Sequence, residues 1–298
     1  MAEEMARGVG PAKIDIAYER CGDPEHPPVL LIMGAGAQLI NWPNGLCAGL
    51  VERGLQVIRF DNRDAGRSTH FSDVPPPDFP AVLAGDFSTV PYTLSDMAAD
   101  TVGLLDALGH ESAHIVGASQ GAMIGQTMAI DYPRRVRSLT SMLSTTGNPE
   151  VGRTDPGVFE LPGPNSPDRA GFVEWRVRLG RALAGSGFAF DAEAAAELAA
   201  RAWDRDHDGS AMLRQVVAVV ASGDRTPRLR ELDVPALVMH GTEDRMFDIS
   251  GGRATAEAIP GAKLRIFEGM GHSLPRELWD TFADNIAELT LSNQRKIL

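Results

Sequence analysis

At 298 residues and 43% hydrophobic, the chain has length for one large domain or two small ones and can bury an ample core without disulfide or metal staples. A formal net charge of −12, with no Lys/Arg cluster, excludes a phosphate-neutralising nucleic-acid surface. The start, MAEEMARGVGPAKIDIAYER, carries no apolar run of signal-peptide length and no stretch is long enough to span a bilayer, so the expectation is a cytoplasmic protein with no membrane partner.

KIDIAYER (13–20) alternates as a half-exposed strand, whereas VLLIM (29–33) is continuously apolar, as in a strand covered on both faces. LQVIRFD (55–61), SAHIVGAS (112–119), VRSLTSMLS (136–144), ALVMHG (236–241) and KLRIFEG (263–269) are further short strand-like runs. Helical patterns separate them at 94–109, 120–133, 250–260 and 274–291. Such alternation predicts right-handed crossovers and an α/β fold with a mostly parallel sheet, helices on both faces and an antiparallel N-terminal edge. Strand signals stop between about Gly147 and Asp224, where a Pro/Gly-rich connector leads into three helical stretches. That insertion is too long for a loop, so 147–224 is expected to be a helical cap on a core of 1–146 and 225–298.

Ser119 lies in IVGASQGAM, at the end of one predicted strand and immediately before a predicted helix, with Gly117 and Gly121 two residues to either side. A tight strand-to-helix turn of this kind exposes a serine above the carboxyl edge of the sheet and aims a helix N-terminus at a developing oxyanion. A serine hydroxyl needs a base, and the base an orienting acid. His272, in FEGMGHSLP, follows the last strand; Asp244, in HGTEDRMF, follows the strand before it and is preferred over Glu243 and Asp248. Loops after adjacent parallel strands lie side by side, so these groups can meet above Ser119. The loop after VLLIM offers the backbone N–H of Ala35 as an oxyanion donor beside that of Gln120, with Gly34 and Gly36 allowing close approach.

Other residues carry plainer readings. His240 and His114 sit in apolar strands as core histidines, and Asp61, Arg63, Asp64 and Arg67 in FDNRDAGRS read as an ion-paired structural turn. Trp42 lines the pocket or packs on it, and Gly34 and Trp175 are further pocket candidates. Phe172, Trp175, Leu179, Leu183 and Phe188 have roughly helical spacing, for which core packing is the default. Cys21 and Cys47 read as free thiols, and no histidine or cysteine spacing suggests a metal.

The order LLIMGAG, FDNRDAGRST, VGASQGA, VMHGTEDRMF, GMGHSLP resembles the α/β-hydrolase superfamily, most closely the branch of aclacinomycin methylesterase-like carboxylic ester hydrolases. The resemblance covers roughly 12–146 and 225–291, and is weaker over the cap. It implies an eight-stranded sheet, a Ser119, Asp244, His272 triad, an oxyanion hole from Ala35 and Gln120, and no cofactor. Many relatives have His-Gly where this chain has Met33-Gly34, and Met is common where it has Gln120. The expected activity is hydrolysis of small or medium apolar carboxylic esters through an acyl-enzyme. The same triad also serves lactone or C–C bond hydrolysis and acyl transfer, and the fold also serves non-catalytic ligand receptors.

Overall fold

The computed structural model describes residues 2–294. In chain order the strands are β1 (Glu3–Val9), β2 (Ile14–Cys21), β3 (Pro28–Ile32), β4 (Gln56–Phe60), β5 (Ala113–Ala118), β6 (Val136–Met142), β7 (Ala236–Gly241) and β8 (Lys263–Phe267). They form one sheet in the order β1-β2-β4-β3-β5-β6-β7-β8. The pairs β1–β2 and β2–β4 are antiparallel and all others parallel, which gives the expected eight-stranded, mostly parallel sheet with an antiparallel edge.

The helices are α1 (Asn44–Glu52), α2 (Phe79–Leu83), α3 (Leu94–Ala107), α4 (Gln120–Asp131), α5 (Pro156–Phe159), α6 (Arg169–Leu183), α7 (Ala192–Arg205), α8 (Ala211–Ser222), α9 (Thr226–Leu229), α10 (Ile249–Ala258) and α11 (Trp279–Gln294). The inserted helical cap falls between β6 and β7. Among the described residues no helix is long and apolar enough to cross a membrane.

The continuous apolar strands follow from covering both faces of the sheet. Leu30 and Ile115 point into a core layer with Met97, Leu104 and Ile124 of α3 and α4, while their neighbours Leu31 and Val116 point into the opposite layer with Leu50, Phe282 and Ile286 of α1 and α11.

Two elements differ from the sequence reading. β1 carries only Ala6 and Val9 as buried residues and pairs in register Met5↔Ala17, so a solvated edge strand left little apolar signal. α1 contains Gly45 and Gly49, which lower helix propensity, yet a Cβ on Gly45 would stand 2.5 Å from the Trp279 ring. Close packing of α1 on α11 overrides local preference there.

Strand order reverses at β3, which has β4 on one side and β5 on the other, with Ile32 paired to Gly117 in parallel register. In open α/β sheets the crevice beyond such a switch point is where ligands bind. The loops after β3 and β5, holding Gly34 and Ser119, both open onto it.

Candidate active site

Ser119 joins β5 to α4 with φ 56° and ψ −124°, a left-handed conformation that costs a non-glycine residue about 1–3 kcal/mol. The neighbouring glycines explain how the turn is made. A Cβ on Gly117 would collide with the backbone of Gly121 and Ala122, and one on Gly121 would collide with the carbonyl oxygen of Ile32 at the end of β3. Gly121 therefore admits α4 to β3 as well as to β5. The backbone of Ser119 is pinned to β6: its N–H donates to Met142 at 2.9 Å and its carbonyl accepts from Ser144 Oγ at 2.9 Å.

Gly34 lies against the serine side chain, since a Cβ there would be 2.9 Å from Ser119 Cβ and 3.3 Å from its Oγ. The N–H groups of Ala35 and Gln120 have no hydrogen-bond partner among the described residues, which leaves both free to meet an oxyanion on this serine. Gln120 also sits at the positive end of α4.

Asp244 is buried, and its two oxygens divide the work. Oδ1 accepts the N–H groups of Met246 and Phe247 at 2.9 Å each, and Oδ2 faces His272 Nδ1 at 2.8 Å. Burial raises the carboxyl's pKa, but the charge and hydrogen bond of His272, aided by the Phe247 N–H, outweigh it and hold Asp244 below the ordinary range. The rival acids are engaged elsewhere. Glu243 accepts the N–H and Oγ of Ser186 at 2.7 Å each, and Asp248 caps α10 through the Ser250 N–H at 2.8 Å. The Ser119 hydroxyl makes no hydrogen bond with His272; in unliganded enzymes such contacts commonly tighten only with substrate.

His240 and His114 are core histidines. His240 Nε2 meets the Phe247 carbonyl at 2.8 Å, and burial holds its pKa below the ordinary value. His114 Nδ1 meets Ser138 Oγ at 2.8 Å, and burial, with a smaller push from Arg137, lowers its pKa to about 4. Trp42 is fully buried in the layer with Met33, Leu46 and Cys47. Trp175 stacks obliquely on Phe172, which in turn meets Trp203 of α7, so this aromatic group joins two cap helices.

Sequence reasoning missed how much of the site hangs from the cap. The end of α6 and the segment after it back the His272 loop: His272 N–H donates to Leu183 at 2.7 Å, Gly271 N–H to Ala184 at 3.0 Å, and Gly187 N–H to Gly269 at 2.9 Å. The glycines around His272 thus admit the cap backbone. At the other side, Arg205 of α7 pairs with Glu3 and Asp61 and donates to Gln38 Oε1 at 2.8 Å, while Asp61 also accepts the Leu39 N–H at 2.6 Å. Arg214 of α8 pairs with Asp64 at 2.7 and 2.9 Å and with Asp208 at 2.8 Å. The FDNRDAGRS turn is thus ion-paired both to the core, through Arg63 with Asp100 and Arg67 with Glu3, and to the cap, through Asp61 with Arg205 and Asp64 with Arg214. One signal was present: Arg214 and Gln215 interrupt an otherwise apolar helix, AMLRQVVAVVAS.

Asp64, His70 and Asp208 place ligand-type atoms within 4.8 Å of one another. Both Asp64 oxygens already serve Arg214, Tyr92 and the Phe71 N–H. The guanidinium balances the charge that a cation would otherwise meet.

The chain is 30% identical over 300 residues to rhodomycin D methylesterase DauP of Streptomyces sp. (strain C5), covering 93% of this chain and 95% of that protein. It is 26% identical over 283 residues to 2-hydroxy-6-oxononadienedioate/2-hydroxy-6-oxononatrienedioate hydrolase 1 of Dechloromonas aromatica (strain RCB), covering 92% and 89%. The fold matches the crystal structure of esterase RhEst1 from Rhodococcus sp. ECU1013 with a TM-score of 0.72 at 21% identity, over 99% of both chains. A family model described as the alpha/beta hydrolase fold matches residues 27–275, and the chain belongs to that family.

Proposed function

We propose that Ser119, His272 and Asp244 form the catalytic triad of this protein, a carboxylic ester hydrolase of the α/β-hydrolase type. Ser119 Oγ attacks the ester carbonyl while His272 Nε2 takes its proton and passes it to the departing alkoxide. The resulting acyl-enzyme is attacked by water, whose proton goes to His272, and Ser119 leaves as the free acid forms. Asp244 holds the imidazole with Nδ1–H toward itself and stabilises the imidazolium of each step. The N–H groups of Ala35 and Gln120 receive the oxyanion, each such donor being worth roughly 3 kcal/mol in the transition state.

The observation that carries this reading is the 2.8 Å Asp244–His272 contact, on loops after neighbouring strands, at the same carboxyl edge of the sheet where β5 ends in a serine held at φ 56°. The relationship to a methylesterase supports an alkyl ester as substrate. We assign the substrate as a small or medium apolar ester, received under a cap of 147–224 resting on a core of 1–146 and 225–298, with Gly34 and Trp175 at its pocket. The free thiols Cys21 and Cys47 support a reducing, cytoplasmic location.

A panel of p-nitrophenyl esters and lactones, assayed beside labelling of Ser119 by an organophosphonate, tests the assignment. Turnover of short acyl esters that is lost on labelling supports it. Labelling with no ester turned over, but a lactone opened, shifts the assignment to lactone hydrolysis.

A further inference from the structure

We infer that Gln215, on cap helix α8, is a positioning residue that fastens both oxyanion donors to the cap. The inference rests on the assignment of Ala35 and Gln120 above. Gln215 is fully buried and every end of it is engaged. Its Oε1 accepts the N–H of Gly36 at 2.8 Å, and its Nε2 donates to the Arg63 carbonyl at 2.7 Å. Its own main-chain carbonyl accepts Gln120 Nε2 at 2.7 Å.

Each contact bears on a donor. Gly36 follows Ala35 and has φ 64°, a conformation glycine enters and leaves freely, so an unrestrained loop here would let the Ala35 N–H wander. The bond from Gly36 to Gln215 removes that freedom, and Met212, one turn earlier on α8, closes over the same glycine with Sδ 2.9 Å from where its Cβ would be. On the other side, Gln120 supplies the second N–H from its backbone while its side chain is tied to α8. The amide is not there for packing: Oε1 of Gln120 is buried without a partner, a cost in stability that a methionine would avoid. What the amide supplies is the tie to α8.

The anchor itself is firm. Arg63, whose carbonyl holds Gln215, is locked by Asp100 at 2.6 and 2.8 Å, and Arg214 beside Gln215 is locked to Asp64. A pre-organised oxyanion hole depends on donors already in place when charge develops. In this chain the hole is complete only with α8 docked, so cap position and chemical rate are coupled.

The test compares Gln215→Leu and Gln120→Met, both close in volume to the native side chain, with wild type over full substrate curves and thermal melts. Gln215→Leu is expected to lower kcat about 10- to 100-fold, less than deleting a donor outright, with KM changed less than about threefold. Affinity for a trifluoromethyl ketone, whose adduct places an oxyanion in the hole, falls by a similar factor, while affinity for the alcohol product stays level. Gln120→Met shows the same pattern to a smaller degree, and decides the matter if Gln215→Leu does not fold. Wild-type kcat and ketone affinity in the folded variants overturn the inference, as does an equal fall in product affinity. A Ser119→Ala enzyme that still turns over overturns the active-site assignment itself, and so is distinguishable from failure of the Gln215 inference alone.

Discussion

The main-chain N–H of His272 donates to the carbonyl of Leu183 at 2.7 Å, so the proposed base is suspended from the cap. Gly185 sits in the same cradle with φ 81°, and a Cβ on it would collide with the Gly269 carbonyl. Gly185→Ala is expected to push the His272 loop away from Ser119. Steady-state kinetics should show kcat reduced by roughly tenfold or more, since misplacements of about 1 Å can cost 100-fold. Melts should show a lower Tm for the same variant.

Ser119 predicts an opposition between stability and activity. Replacement by alanine keeps a Cβ in a left-handed turn, whereas glycine accepts that conformation without strain. Both variants should be inactive, and Ser119→Gly should be the more stable by about 1 kcal/mol in urea unfolding. Equal stability of the two would mean that the turn relaxes.

Asp64 and Arg214 are both buried, and breaking such a pair leaves an uncompensated charge. Arg214→Met should cost about 3–5 kcal/mol in denaturant unfolding. Adding Asp64→Asn should restore much of that loss, because the orphaned carboxylate is then gone. A double variant as unstable as the single one would place the loss in packing instead.

His114 gives a pH signature in stability. The unfolded chain takes up a proton on this group near pH 6.5, and the native chain only near about 4, so the unfolded state binds more protons between those values. Stability therefore falls as pH is lowered through that window, by roughly 3 kcal/mol in all. His114→Asn, which keeps a partner for Ser138, should flatten the profile of unfolding free energy over that interval.

The sheet and the strand-to-helix elbow around Ser119 were legible because both are written in short range. Alternating faces of buried strands leave apolar runs such as VLLIM, and a tight elbow leaves Gly117 and Gly121 at fixed distances from Ser119. The choice of Asp244 over Glu243 was legible only as a position after β7; the structure supplies the reason, since Glu243 is occupied by Ser186. Arg205 and the Leu183 to Gly187 turn were illegible as site elements, and Arg214 and Gln215 showed only as polar residues in an apolar helix, with no sign of what they meet. Their partners lie far away in the chain, and an isolated Gln or Gly carries no mark of the loop it will meet. β1 was missed for a different reason, because a strand with one wet face and few apolar residues looks like any polar terminus.

Acyl transfer through Ser119, with His272 as base, leaves a covalent trace on the enzyme. Rapid quench of the wild-type enzyme with a slow p-nitrophenyl ester, followed by mass spectrometry of its peptides, tests it most directly. The acyl mass is expected on the peptide bearing Ser119 in the wild-type enzyme, with no adduct and no turnover in Ser119→Ala. Acyl mass on another residue, or a Ser119→Ala enzyme that hydrolyses the ester at the wild-type rate, would contradict it.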